Sequence, residues 1–129
     1  VHGLDPSEQD ALAEEVMAVL GDPDFAALFG PRSRAEVPIV GRIGDYVVAG
    51  QVDRLCVTDE AVQIIDYKTN RQPPVDAREV APIYLRQMAA YRAVLQEIYP
   101  LLTIRCALLW TDGPRLMQIS GELLEPWAP

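Results

Sequence analysis

Two apolar, strand-like segments end in charged residues: Gly50-Gln51-Val52-Asp53-Arg54 and Ile64-Ile65-Asp66-Tyr67-Lys68-Thr69. Side chains alternate between the two faces of a strand, so Asp66 and Lys68 share one face of the second segment. A short turn between the segments predicts a hairpin in which Asp53 lies opposite Asp66 or nearly so. Two neighbouring carboxylates raise each other's pKa, and a divalent cation removes that repulsion. The two segments therefore predict a charged site at one end of a β-hairpin.

The two carboxylates and the ammonium form a minimal set for metal-dependent hydrolysis of a phosphodiester. Hard oxygen ligands suit Mg²⁺, and Mn²⁺ is an alternative ion. A bound metal lowers the pKa of its water and neutralises charge on the phosphate. The ammonium of Lys68 can hold a phosphate oxygen or position the attacking water. The competing interpretation is an ordinary acid pair beside a surface lysine, because charged strand ends are usually solvated.

The rest of the chain predicts an α/β (α+β) fold with a mixed central sheet flanked by helices. Apolar residues at helical spacing predict helices over residues 6–20, 22–29 and 81–99. Alternating apolar residues between turn signals predict five strands, over residues 36–43, 46–57, 62–68, 102–110 and 115–120. The first three strands follow each other with short turns and form an antiparallel meander. Pro38 suits an edge strand, because proline has no N–H for the ladder.

Composition limits the functions that this chain can have. The chain has 129 residues, which fits a single domain, and a net charge of −8, which repels nucleic acid in bulk. Any nucleic-acid role must therefore rest on a local site, such as a metal with a few placed cations. The 2 cysteines are too few for an iron–sulfur cluster with four thiolates. The chain carries no signal peptide, long apolar span or Walker A loop, so we expect a cytoplasmic protein without a membrane partner.

A third segment makes the pattern specific: Tyr84-Leu85-Arg86-Gln87-Met88-Ala89-Ala90-Tyr91. Together the three segments resemble the RecB-type branch of the PD-(D/E)xK nucleases, most of all the C-terminal nuclease domain of AddA-type helicase–nucleases. The resemblance implies a restriction-endonuclease-like core and a Mg²⁺-dependent DNA exonuclease that acts in double-strand break repair and recombination. It also implies single-stranded DNA delivered by an ATP-dependent helicase and an AddB-type partner subunit. Because the chain starts at Val1, we expect a single nuclease domain over residues 1–129, as a C-terminal fragment of a larger helicase–nuclease.

The resemblance also implies roles for the residues of the first two segments. Asp53 and Asp66 become metal ligands, together with the backbone carbonyl of Tyr67. Lys68 becomes the catalytic lysine.

Further roles are implied outside those segments. Gln87 and Tyr91 match the family's Gln-x-x-x-Tyr motif, and positions i and i+4 share one helix face. Glu36 resembles the acidic position on the family's first strand. The family usually has a metal-binding histidine on an N-terminal helix. His2 is the only histidine here, and we expect the family's histidine to lie upstream of Val1.

Several interpretations stay open at this stage. Tyr84 and Tyr91 also fit a packed core, because aromatic residues at helical spacing usually face one. Arg54, Arg71 and Arg86 are candidates for phosphate contacts or are solvated surface charges. The domain could instead be a catalytically inactive interaction module, although the intact acids and lysine argue against this. An enzyme that acts on RNA or on duplex ends is a further alternative.

Overall fold

In the computed structural model the described residues are 7–8, 11, 31–69, 74–110 and 115–129. Residues 7, 8 and 11 are helical, and the rest of the helices predicted over 6–20 and 22–29 lies outside the described residues. No helix among the described residues is long and apolar enough to cross a membrane.

The described part of the chain is built on a 5-stranded sheet with the strand order β1-β2-β3-β4-β5. The strands are β1 (Ser33–Ile43), β2 (Tyr46–Val57), β3 (Ala61–Lys68), β4 (Thr103–Trp110) and β5 (Arg115–Ile119). Neighbouring strands are antiparallel except for β3 and β4, which are parallel. The predicted α/β architecture with a mixed sheet and a three-stranded meander is therefore confirmed. Pro38 lies in β1, at the edge of the sheet, as the missing N–H of proline requires.

One long helix, α1 (Pro82–Ile98), connects the parallel strands β3 and β4. Pro82 stands in its first turn, where the missing N–H costs no hydrogen bond. Pro100 follows its end and cannot continue a helix. The helix packs across β1, β2 and β4, and Gly41 lets it come close, because a Cβ there would lie 2.8 Å from Val94 Cγ1.

The core lies between this helix and the sheet. Its fully buried apolar side chains come from every layer: Val52, Val62, Ile64, Met88 and Leu108. Strand β3 is central, and all 8 of its residues are buried. A strand that is covered on both faces is usually a continuous apolar run. Strand β3 departs from this rule at its end, where Asp66 and Lys68 are buried as well.

Two short C-terminal elements were not predicted from the sequence: α2 (Gly121–Leu124) and a 3₁₀ helix (Glu125–Trp127). Ser120 caps α2, because its Oγ accepts a hydrogen bond from the Leu123 N–H at 3.2 Å. Leu124 is buried against α1 and the sheet. A helix of one turn shows no periodicity in the sequence, and its stability comes from this tertiary packing. A further 3₁₀ turn (Ala77–Glu79) lies just before α1.

Candidate active site

The two acids meet where β2 and β3 stop pairing. The last regular pair of the ladder joins Arg54 and Ile65. Beyond it the Asp53 N–H donates to Asp66 Oδ1 at 3.1 Å, and the Tyr67 N–H donates to Asp53 Oδ2 at 2.8 Å. Each carboxylate thus takes the place of a carbonyl of the ladder and accepts a hydrogen bond from the strand opposite its own. The hairpin register predicted from the sequence brings the two carboxylates together in this way.

Lys68 lies beside the carboxylates, at the end of β3. Its Nζ is 3.7 Å from Asp66 Oδ2 and donates to Gln87 Oε1 at 3.3 Å. The same Nζ stands over the ring of Tyr84, 4.2 Å from the ring centroid. Only 7% of the residue is exposed, so its ammonium lies among these side chains and not on the open surface.

The predicted Gln87–Tyr91 pair lies on one face of α1 and links that helix to the site. Gln87 Nε2 donates to the hydroxyl of Tyr91 at 3.2 Å, while its Oε1 accepts from Lys68. Gln87 is exposed, whereas Tyr91 is buried and belongs to the core cluster. Tyr91 therefore packs in the core, and its hydroxyl also accepts from the amide that contacts Lys68.

Burial and mutual repulsion set the electrostatics of the acid pair. Burial raises the pKa of Asp66 to about 6, against the opposing charge of Lys68 and with a further rise from Asp53. Burial also raises the pKa of Asp53, although hydrogen bonds from Tyr67 and Asp66 and the charge of Lys68 oppose it. When both acids are ionised, one ammonium leaves an excess negative charge in a buried place, which a divalent cation would offset.

Glu36 lies across from Asp53 on the edge strand. The β1–β2 register pairs Ala35 with Arg54 and Val37 with Val52, so Glu36 and Asp53 occupy the facing positions between these pairs. The charge of Glu36 contributes to the raised pKa of Asp53. Its backbone has a φ of 53°, a conformation that is uncommon for any residue except glycine. Such strain often accompanies a functional role, and the side chain itself is exposed.

The carboxylates of Asp53 and Asp66 are hard oxygen donors, and their chemistry fits a divalent ion. Among the described residues, no group of three or more His, Cys, Asp and Glu side chains is arranged to hold a metal. Mg²⁺ typically binds one or two carboxylates and keeps waters or substrate oxygens as its other ligands. Asp53 and Asp66 supply two such carboxylates, and their negative charge exceeds the single positive charge of Lys68. The carbonyl of Tyr67 stays a predicted ligand, and His2 lies outside the described residues.

The arginine candidates differ in their surroundings. Arg54 is buried, and its Nε donates to Ser33 Oγ at 3.1 Å. Neighbours in a strand point to opposite faces, so Arg54 is turned away from the face of Asp53. Arg86 is exposed, with its guanidinium 5.4 Å from the ring centroid of Trp127. Arg71 lies outside the described residues.

Two residues of the site were not assigned a role from the sequence. At Gly50 a Cβ would overlap the hydroxyl of Tyr91 and lie 2.9 Å from its Cε1. A glycine inside a strand signals such a close approach, although it does not say which group approaches. The other residue is Tyr84, whose ring covers Lys68. Tyr84 lies three positions before Gln87 in α1, and this spacing on one helix face was the sequence signal that could have placed it at the site.

Comparisons with known proteins identify the family of this chain. A family model described as the PD-(D/E)XK nuclease superfamily matches residues 6–117. No curated protein matches the chain. One similar solved structure is the crystal structure of SSO0001, with 18% identity and a TM-score of 0.47. That match covers 92% of this chain and 63% of the other, so the chain spans less than two thirds of that protein, and the similarity supports no statement about the site.

The family match extends over both acidic segments, the helix with Gln87 and Tyr91, and most of the mixed sheet. The sheet and its helices agree with the restriction-endonuclease-like fold of that family. On this evidence the chain belongs to the PD-(D/E)XK nuclease superfamily.

Proposed function

We propose that this domain is a metal-dependent deoxyribonuclease whose active site is the buried cluster of Asp53, Asp66 and Lys68. Members of its superfamily generally use divalent metal ions, and we assign Mg²⁺, with Mn²⁺ as a substitute. The observation that carries the proposal is the meeting of two buried carboxylates with one buried ammonium at a strand end. A purely structural ion pair would not need the second acid, which raises the pKa of the first.

In the proposed mechanism Asp53, Asp66 and the carbonyl of Tyr67 would hold the metal. When bound, a divalent ion lowers the pKa of a water ligand and offsets charge on the phosphate. The backbone amides of Asp53 and Tyr67 keep the two carboxylates in place before any substrate arrives. Lys68 donates to a phosphate oxygen, and its position depends on Gln87.

The wider assignment follows the motif resemblance. We infer an exonuclease domain of an AddA-type helicase–nuclease, with an AddB-type subunit, that degrades single strands during double-strand break repair and recombination. The net charge of −8 supports a partner that supplies DNA affinity. Helicase motor domains that feed a single strand into the site would meet this need. Glu36 is assigned to the same site as its third acid.

The proposal is tested by cleavage of labelled DNA with Mg²⁺, with Mn²⁺ and with a chelator. We expect metal-dependent cleavage by the wild type and a loss of at least about a hundredfold in Asp66→Asn and in Lys68→Ala. Asp59→Asn is the matched control, since it removes a carboxylate that is 93% exposed and pairs with Arg32 in a surface contact. Unchanged cleavage in both site variants would exclude this site.

The substrates are compared in the same assay. Single-stranded DNA, duplex DNA with blunt ends and single-stranded RNA are each offered at equal concentration, and we expect single-stranded DNA to be cleaved fastest. The alternative is a catalytically inactive interaction module. It predicts no cleavage of any substrate by the wild type, either alone or joined to a helicase motor, while the fold stays intact by circular dichroism.

A further inference from the structure

We propose that Tyr84 positions the Lys68 ammonium through the face of its aromatic ring, and that Trp110 holds this ring in place. The inference rests on the proposed function, because it assigns a positioning residue to the same active site. Lys68 Nζ lies 4.2 Å from the centroid of the Tyr84 ring. A cation at this distance over an aromatic face is attracted by the negative charge density of the ring.

Among the described residues, Asp66, Gln87 and Tyr84 each affect the ammonium in a different way. The carboxylate of Asp66 is 3.7 Å away and the amide oxygen of Gln87 is 3.3 Å away. If these were the only neighbours, the opposite charge of Asp66 would pull the ammonium towards itself and away from a phosphate. The Tyr84 ring attracts the ammonium without accepting a conventional hydrogen bond through its face. It therefore helps to hold the charge in position through its face.

The ring is itself held by a buried neighbour. Tyr84 and Trp110 meet edge to face, with centroids 6.4 Å apart and an interplanar angle of 62°. Trp110 is 1% exposed and is the register partner of Lys68 across the parallel pair of β3 and β4. The lysine and the indole that supports its aromatic neighbour thus lie side by side on adjacent strands. This arrangement keeps the ring in place as a rigid part of the core.

The experiment uses the fact that Lys68 is the only lysine in the chain. Lysine labelled with ¹³C therefore gives a single set of side-chain NMR signals, all from Lys68. Protons above an aromatic face are shielded, so we expect the ε-methylene protons to resonate upfield of free lysine. Tyr84→Phe keeps the ring and should keep both this shift and the wild-type rate within about threefold. Tyr84→Leu should move the signal towards free lysine and lower kcat roughly tenfold, with KM changed less than about threefold.

Tyr99→Leu is the matched control, because Tyr99 is a partly buried tyrosine at the other end of α1. It should change neither the Lys68 signal nor the rate, and thermal melts of every variant verify folding. An unshifted signal in the wild type would overturn the proposal, as would Tyr84→Leu with wild-type signal and rate. Equal losses in Tyr84→Phe and Tyr84→Leu would overturn it too, because the hydroxyl would then be the active group.

The two proposals fail in different ways. Absence of cleavage in the wild type with either metal, both alone and joined to a helicase motor, overturns the proposed function. The NMR signal does not depend on cleavage, and its response to Tyr84→Leu still supports or overturns the contact between the ring and Lys68.

Discussion

Gly50 shows how a single residue without a side chain allows the site to form. Tyr91 reaches from α1 to β2 and places its hydroxyl against the Cα of Gly50, where a Cβ would overlap it. The hydroxyl accepts from Gln87, and Gln87 in turn accepts from Lys68. The absence of a Cβ on β2 is therefore linked through two side chains to the position of the ammonium.

We expect Gly50→Ala to lower the free energy of unfolding by about 1 to 3 kcal/mol, because the new methyl group overpacks a filled space. In a Tyr91→Phe background the cost should be smaller, since the nearest atom is then gone. It should not vanish, because the ring carbons Cε1 and Cζ would still lie 2.9 and 3.0 Å from the Cβ. Urea unfolding of the four proteins gives this coupling directly. An equal cost in both backgrounds would contradict the contact.

At the scale of elements, the end of the β2–β3 hairpin is the decisive feature. The ladder ends at Arg54 and Ile65, and the two carboxylates then accept from amides of the opposite strand. The site is thus part of the hydrogen bonding of the sheet. The two carboxylates that would bind the metal in the proposed mechanism also continue the hydrogen bonding of the hairpin beyond its last regular pair.

The Tyr67 amide reports on its hydrogen bond to Asp53. In Asp53→Ala we expect its hydrogen exchange to speed up by about tenfold or more, because a charge-assisted hydrogen bond is lost. Asp53→Asn is the matched variant, since its side-chain carbonyl can still accept, and its Tyr67 amide should stay protected. The exchange rate of the Tyr67 amide is measured by NMR in both metal-free variants. Equal protection in the alanine and asparagine variants would show that another group holds this amide.

At the scale of the whole molecule, the acid pair makes stability depend on pH in an unusual direction. The Asp66 pKa of about 6 lies above its ordinary value of 3.8. The native state therefore binds a proton more tightly than the unfolded state between these values. By linkage, this group destabilises the fold above about pH 6, and the penalty is relieved as pH falls towards 4.

Without metal, we expect Asp66→Asn to be more stable than the wild type at pH 7, by up to roughly 3 kcal/mol. The difference should shrink as pH falls through 6 and disappear near pH 4. Because the two proteins differ only at this position, the difference between their urea unfolding curves reports on Asp66 together with its coupling to Asp53. A difference that does not change with pH would contradict the raised pKa.

A divalent ion should reverse that penalty. Its carboxylate ligands must be ionised, so we expect Mg²⁺ or Mn²⁺ to raise the melting temperature more at pH 7.5 than at pH 5. Asp66→Asn should lose most of this effect, whereas Asp59→Asn should keep it. Thermal scans with and without the ion, at constant ionic strength, measure the difference. Equal stabilisation at both pH values would indicate binding outside the acid pair.

The sequence by itself determined the order of the five strands and α1, the antiparallel meander, and the facing positions of Asp53 and Asp66. These follow from local periodicity and from the register of a short hairpin, which involve residues close together in the chain. The family resemblance carried the wider expectation of a nuclease.

Only the tertiary structure decided which groups surround the ammonium. The contacts of Lys68 with Tyr84, and of Gly50 with Tyr91, join β-strands to α1 across the core. The sequence contained both tyrosines and left a choice between core packing and site, because helical spacing is the same for either. Packing of α1 against the sheet decided between them. It placed the ring of Tyr84 over Lys68 and the hydroxyl of Tyr91 against Gly50.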